Sequence, residues 1–172
     1  MPVRNALPGA QECAATSRID GDAHAVSNRR MDTTAPTGYS GKPIWQKLGI
    51  APATRVLVRA APADYAKIVG LRATDLTLAP ARGAFDIAHV FATSAKTLEH
   101  EIAALAKRMP AAGVIWASWP KKSAGLATDV TEDTVRTIAL PLGLVDVKVC
   151  AIDAVWSGLK LVWRRDRRGG KS

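Results

Sequence analysis

One short segment gathers residue types that could hold a ligand: Trp119-Pro120-Lys121-Lys122-Ser123-Ala124-Gly125. Two ammonium groups, a hydroxyl and a helix start expected at Asp129 would suit an anion, and Trp119 would supply an apolar or stacking wall. The plainer reading is a solvated loop whose tryptophan plugs the sheet edge, because paired lysines are common on loops. Asp64, followed by Tyr65, lies just after an expected strand. Its carboxylate could act as a base or hold a ribose, although an aspartate placed there more simply starts a helix. Thr93 and Ser94 could touch the same ligand, with helix capping as the plainer role of Ser94.

Other chemistry is harder to build. His89 falls within an apolar run and has no cysteine, aspartate or second histidine at ligand spacing, so it reads as a satisfied core histidine and no metal site is expected. His100 sits between Glu99 and Glu101 and reads as surface. No serine occupies a nucleophile elbow, and no glycine loop of phosphate-binding type is present. Cys150 reads as a small buried hydrophobe, and with Cys13 as the only other cysteine there is no disulfide framework. No catalytic residue is expected. Lys148 and Lys160 lie on the two arms of an expected hairpin and could share a face with Asp146, depending on register. Lysines that discourage edge-to-edge pairing are the simpler explanation.

The elements that must position these residues follow from periodicity. Ile44, Trp45 and Leu48 have helical spacing after Pro43, and Gly49 ends the helix. Thr54–Arg59 is a β-rich run, Ala63–Val69 a short helix stopped by Gly70, and 75–79 a weaker strand. Residues 86–92 form an apolar strand. Ser94 then precedes a clear helix, with Leu98, Ile102, Leu105 and Met109 on one face and Pro110 as its end. Gly113–Trp119 is a buried strand. Asp129 and Glu132 are spaced as a capping box for a helix through Val135 and Ile138. Residues 144–152 and 158–163 form a hairpin. Strands that alternate with helices predict a mostly parallel α/β sheet, a three-layer Rossmann-like architecture, with the hairpin adding an antiparallel strand at its edge.

The chain has 172 residues, enough for one domain and some excess. Residues 1–37 lack periodicity and read as a disordered arm, with Met31 as an alternative start of translation. The α/β domain is expected over 38–163. Of the net charge of +9, nearly half falls in 164–172, where Arg164, Arg165, Arg167, Arg168 and Lys171 oppose Asp166. That tail reads as a solvated, disordered terminus that could also touch nucleic acid. No apolar run reaches the roughly 18 residues of a membrane span. No signal-peptide core is visible, and Glu12, Asp20 and Asp22 argue against a transit peptide, so a cytoplasmic protein is expected.

The order of elements resembles the class I S-adenosylmethionine-dependent methyltransferase fold. Tyr39-Ser40-Gly41-Lys42-Pro43, Trp119-Pro120-Lys121-Lys122, Gly143-Leu144-Val145-Asp146-Val147-Lys148-Val149-Cys150-Ala151 and Trp156-Ser157-Gly158-Leu159-Lys160-Leu161-Val162 resemble the bacterial domain of unknown function 3052. That resemblance covers about 39–164 and carries no activity to transfer. The methyltransferase resemblance implies a glycine-rich turn after the first strand, where Ala60-Ala61-Pro62-Ala63-Asp64 stands. It also implies an acidic residue ending the second strand, where Leu78-Ala79-Pro80 stands. Between Pro80 and Asp86 there is no room for the additional helix and strand of that fold.

These readings lead to a reduced methyltransferase-like domain, non-catalytic, that takes no cofactor, with S-adenosylmethionine disfavoured. Its partner is expected to be an anionic small molecule or a protein, held by Trp119, Lys121, Lys122, Ser123, Asp64, Thr93 and Ser94. The alternatives are an S-adenosylmethionine-dependent methyltransferase with an atypical cofactor loop, and a nucleic-acid accessory protein.

Overall fold

The computed structural model describes residues 41–62 and 64–168. The expectations for 1–37, for Met31 and for the last residues of the tail lie outside the described residues.

Among the described residues six strands form one sheet: β1 (Arg55–Arg59), β2 (Thr77–Leu78), β3 (Ile87–Phe91), β4 (Val114–Pro120), β5 (Leu144–Ala151) and β6 (Trp156–Trp163). Their order is β2-β1-β3-β4-β6-β5, with β1 to β4 parallel and β6 antiparallel to both its neighbours. The sheet is thus mixed and mostly parallel. The antiparallel strand is not at the edge, as the sequence suggested, but sits between β4 and β5. Burial explains the choice: Gly158, Leu159, Leu161 and Val162 of β6 are all buried, whereas Val147, Lys148 and Val149 of β5 are exposed. A strand that is apolar on both faces needs a neighbour on each side, and the half-polar strand tolerates the edge.

Among the described residues five helices accompany the sheet: α1 (Ile44–Leu48), α2 (Tyr65–Val69), α3 (Ala95–Ala106), α4 (Glu132–Ala139) and α5 (Arg165–Arg168). Alternation along the strands sends side chains to two separate apolar layers. One joins Ala88, Val90, Ile115, Ala117, Leu159 and Leu161 to Leu98, Ile102 and Leu105 of α3 and Val135 of α4. Truncating Leu98, which has no solvent exposure, to alanine would cost about 2–5 kcal/mol. The other layer joins Ile87, Phe91 and Trp116 to Leu48 of α1 and to Tyr65 and Val69 of α2. Trp116 ties α1 down directly, because its buried indole N–H donates to the Leu48 carbonyl at 3.0 Å. Gly49 turns the chain out of α1 at φ 85, a backbone conformation that glycine adopts without cost.

One expected element is smaller. The weak strand at 75–79 shrinks to Thr77–Leu78, preceded by one 3-10 turn, Ala73–Asp75. Arg165–Arg168 forms one helical turn, in which Arg168 Nε donates to the Trp163 carbonyl at 2.7 Å and Arg167 Nη1 to the Leu142 carbonyl at 3.3 Å.

Candidate functional site

In an open α/β sheet the ligand crevice lies beyond the carboxyl ends of the strands, where the connections diverge to opposite faces. That point falls here between β1 and β3: α2 follows β1 into one apolar layer, and α3 follows β3 into the other. β1 leaves the sheet through Ala60 at φ 50, and Asp64, the residue before α2, sits at φ 62. Both are left-handed conformations that side chains disfavour. The turn therefore has the backbone form a glycine would supply, carried by residues that are not glycine.

The side chains around this crevice are mostly committed. Asp64 caps α2, its carboxylate accepting from the Lys67 backbone N–H at 3.3 Å and lying 3.6 Å from Lys67 Nζ. Arg59, at the end of β1, donates from Nη2 to the Ala81 carbonyl at 3.0 Å and places Nε 3.5 Å from Glu101 Oε2 of α3. The Thr93 carbonyl accepts from Thr128 Oγ1 at 2.8 Å and from the Asp129 N–H at 3.3 Å.

Two capping assignments change. Ser94 precedes α3, but its hydroxyl makes no capping bond. Asp129 Oδ1 accepts from the Ala95 N–H at 2.7 Å instead, so α3 is capped by a carboxylate from the following loop. α4 does not begin with an Asp129–Glu132 box. Thr131 is its cap, and Thr134 completes the reciprocal pair. The helix start invoked for anion binding near Lys121 is thus both displaced and satisfied.

The segment after β4 also divides. Trp119 is buried in the α3–α4 layer on a central strand, not at a sheet edge. Lys121 is held by the hairpin turn, with Nζ donating to the Asp153 carbonyl at 2.5 Å and its backbone N–H to the Val155 carbonyl at 2.7 Å. Lys122 and Ser123 are exposed in a 3-10 turn. Of the sequence-derived candidates, Thr93 is joined through its carbonyl to Asp129 on the α3 side, whereas Lys121 is bonded to the β5–β6 turn. Asp64 stands at the start of α2, which packs on the other side.

A polar chain that the sequence reading did not assemble lies beneath α2. His89 places Nδ1 3.0 Å from the Tyr65 hydroxyl and Nε2 2.7 Å from Ser118 Oγ, and neither His89 nor Ser118 is solvent-exposed. Burial pushes the imidazole down to about 3, so it is neutral, donating from one nitrogen and accepting at the other. Burial likewise pushes the Tyr65 phenol well above its ordinary value. His89 stacks on Phe91 with ring centroids 4.3 Å apart, and Phe91 meets Trp156 edge-on at 5.1 Å. This row joins α2, β3 and the hairpin behind the crevice. The signal for it was available, since His89 and Ser118 are the polar members of two buried runs, but their proximity depends on strand register. Cys150 is free and buried, and burial pushes its thiol up.

No family model matches the chain and no curated protein does. Solved structures do. The chain is similar to magnesium protoporphyrin IX methyltransferase from Synechocystis PCC 6803 with bound S-adenosylhomocysteine, at 12% identity, over 66% of this chain and 75% of that one, with a TM-score of 0.45. It is similar to LepI in complex with S-adenosylmethionine, at 12% identity, over 70% of this chain and 39% of that one, with a TM-score of 0.42. It is also similar to a protein of the NADB-Rossmann superfamily from Streptococcus agalactiae, at 10% identity, over 71% and 68% of the two chains, with a TM-score of 0.43. At such identities the likeness is one of fold. The expectation of no cofactor, with S-adenosylmethionine disfavoured, stands against two of these findings: the Synechocystis protein was solved with bound S-adenosylhomocysteine and LepI in complex with S-adenosylmethionine.

Proposed function

We propose that the chain is a methyltransferase-like domain that binds a ligand of the S-adenosylmethionine class beyond the carboxyl ends of β1 and β3. The observation that carries this reading is Ala60 at φ 50, a glycine-like exit from β1 beside the point where the connections diverge. β2 ends at Leu78 without a carboxylate, so a hold on the ligand's hydroxyls there would have to come from backbone groups. S-adenosylmethionine, when bound, supplies an electrophilic methyl group. The chain's part is to bind and orient: Ala60 shapes the turn, Asp64 fixes the start of α2, and the Tyr65–His89–Ser118 chain holds α2 against β3 and β4. No side chain is assigned as acid or base.

Isothermal titration with S-adenosylmethionine and S-adenosylhomocysteine tests the reading. Saturable binding that survives Ala60→Gly and is lost in Ala60→Val is expected. Failure of the unmodified chain to bind either compound overturns it.

The finer family reading, the bacterial domain of unknown function 3052, is supported by where its motifs fall. Trp119 and Pro120 pair with Ser157 and Trp156, so two segments distant in sequence form one strand-end unit. A second functional reading, an anion or partner protein at the loop after β4, is favoured by the exposure of Lys122 and Ser123. A role in nucleic-acid contact through the tail would draw on Arg164 and Arg165, which are exposed. Among the described residues no helix is long and apolar enough to cross a membrane.

A further inference from the structure

A β-bulge separates two residues that a regular strand would keep together. Between Asp146 and Lys148 the register of β5 shifts, so Asp146 lies opposite Leu161 and Lys148 opposite Lys160. Asp146 consequently turns toward α4, where its Oδ2 accepts from Arg136 Nε at 3.1 Å. Lys148 and Lys160 face the other way, on the same side as Trp116, which is the cross-strand neighbour of Lys160 on β4.

Like charges directly opposite on neighbouring strands are destabilising, and their Cβ atoms lie about 5 Å apart. Among the described residues no carboxylate pairs with Lys148, Lys160 or Arg168. Lys160 is half-buried, and burial together with the charges of Lys148 and Arg168 pulls its ammonium below the ordinary value. A cavity of about 420 Å³ opens beside it, lined by Ala111, Gly113, Val114, Val162, Lys160 and Arg168. That volume is in the range of small-molecule sites, and its lining combines an apolar floor with two cations.

We propose that Lys148, Lys160 and Arg168 form an anion-binding site on this side of the sheet, for a small ligand carrying one or two phosphate groups. The site lies at the amino end of β4, opposite the crevice beyond β1 and β3, and is independent of the ligand proposed there. A phosphate between the facing ammonium groups would replace their repulsion with two charge-assisted contacts. A cavity of about 420 Å³ favours a compact ligand over the extended backbone of a nucleic acid.

Isothermal titration of the full chain with inorganic pyrophosphate tests the site. Saturable binding is expected, weakened by about tenfold or more in Lys148→Gln/Lys160→Gln. Lys42→Gln/Lys96→Gln, which removes equal charge from exposed positions, should bind as the unmodified chain does. Without ligand, the first variant should melt no lower than the unmodified chain, because it loses a like-charge pair; pyrophosphate should raise the melting temperature of the unmodified chain and not of this variant. No saturable binding, equal weakening in both variants, or a single-stranded oligonucleotide binding where pyrophosphate does not would overturn the proposal.

Discussion

His89 Nε2 and Ser118 Oγ lie 2.7 Å apart across the β3–β4 boundary, both without solvent exposure. A neutral histidine held this way makes stability depend on pH. Burial pushes the folded ring down to about 3, below the ordinary 6.5 of an exposed imidazole, so between these values the unfolded chain binds the extra proton. Stability is therefore fully present above pH 6.5 and falls as pH drops through that window, by about 1.4 kcal/mol per unit. Urea unfolding at a series of pH values reads this slope, and His89→Gln should flatten it. A slope unchanged by the substitution would assign the dependence to other groups.

Lys121 and Lys122 should behave differently although they are adjacent. The Lys121 ammonium donates to the Asp153 carbonyl, and replacing it with alanine should cost about 1–2 kcal/mol. Lys122 is exposed, and the same change there should stay within about 0.5 kcal/mol. Chemical denaturation of the two single variants decides; equal effects would mean that the Lys121 contact adds nothing.

Capping of α3 gives a second contrast. Asp129→Ala removes the carboxylate bonded to the Ala95 N–H and should cost about 1 kcal/mol. Ser94 sits at the cap position but makes no capping bond, so Ser94→Ala should be close to neutral. Thermal melts that rank Ser94→Ala as the more damaging change would reverse the assignment.

Gly158 tests the close approach of β6 to β4. A Cβ there would stand 2.9 Å from Ser118 Oγ and 3.0 Å from Ile152 Cδ1. Gly158→Ala should therefore cost about 1–3 kcal/mol through overpacking, visible as a lower denaturation midpoint with an unchanged slope. A neutral result would show that Ser118 can turn away without disturbing His89.

Local pattern determined much of this protein. The spacing of Leu98, Ile102 and Leu105, the stops at Gly49 and Gly70 and the apolar runs of β3 and β4 depend on neighbours in sequence, so they were readable there. The reduced size of the segment between Pro80 and Asp86 was equally visible. What only the tertiary structure decided are partnerships between distant residues. Asp129 has a capping side chain, yet which helix it caps depends on the loop after β4 folding back over α3. The sequence placed Lys148 beside Asp146, but one unpaired residue at Val147 sends the carboxylate to Arg136 and leaves the lysine facing Lys160. The side-chain period of a strand is two, so a single-residue shift reverses every face beyond it, and no local pattern records that shift.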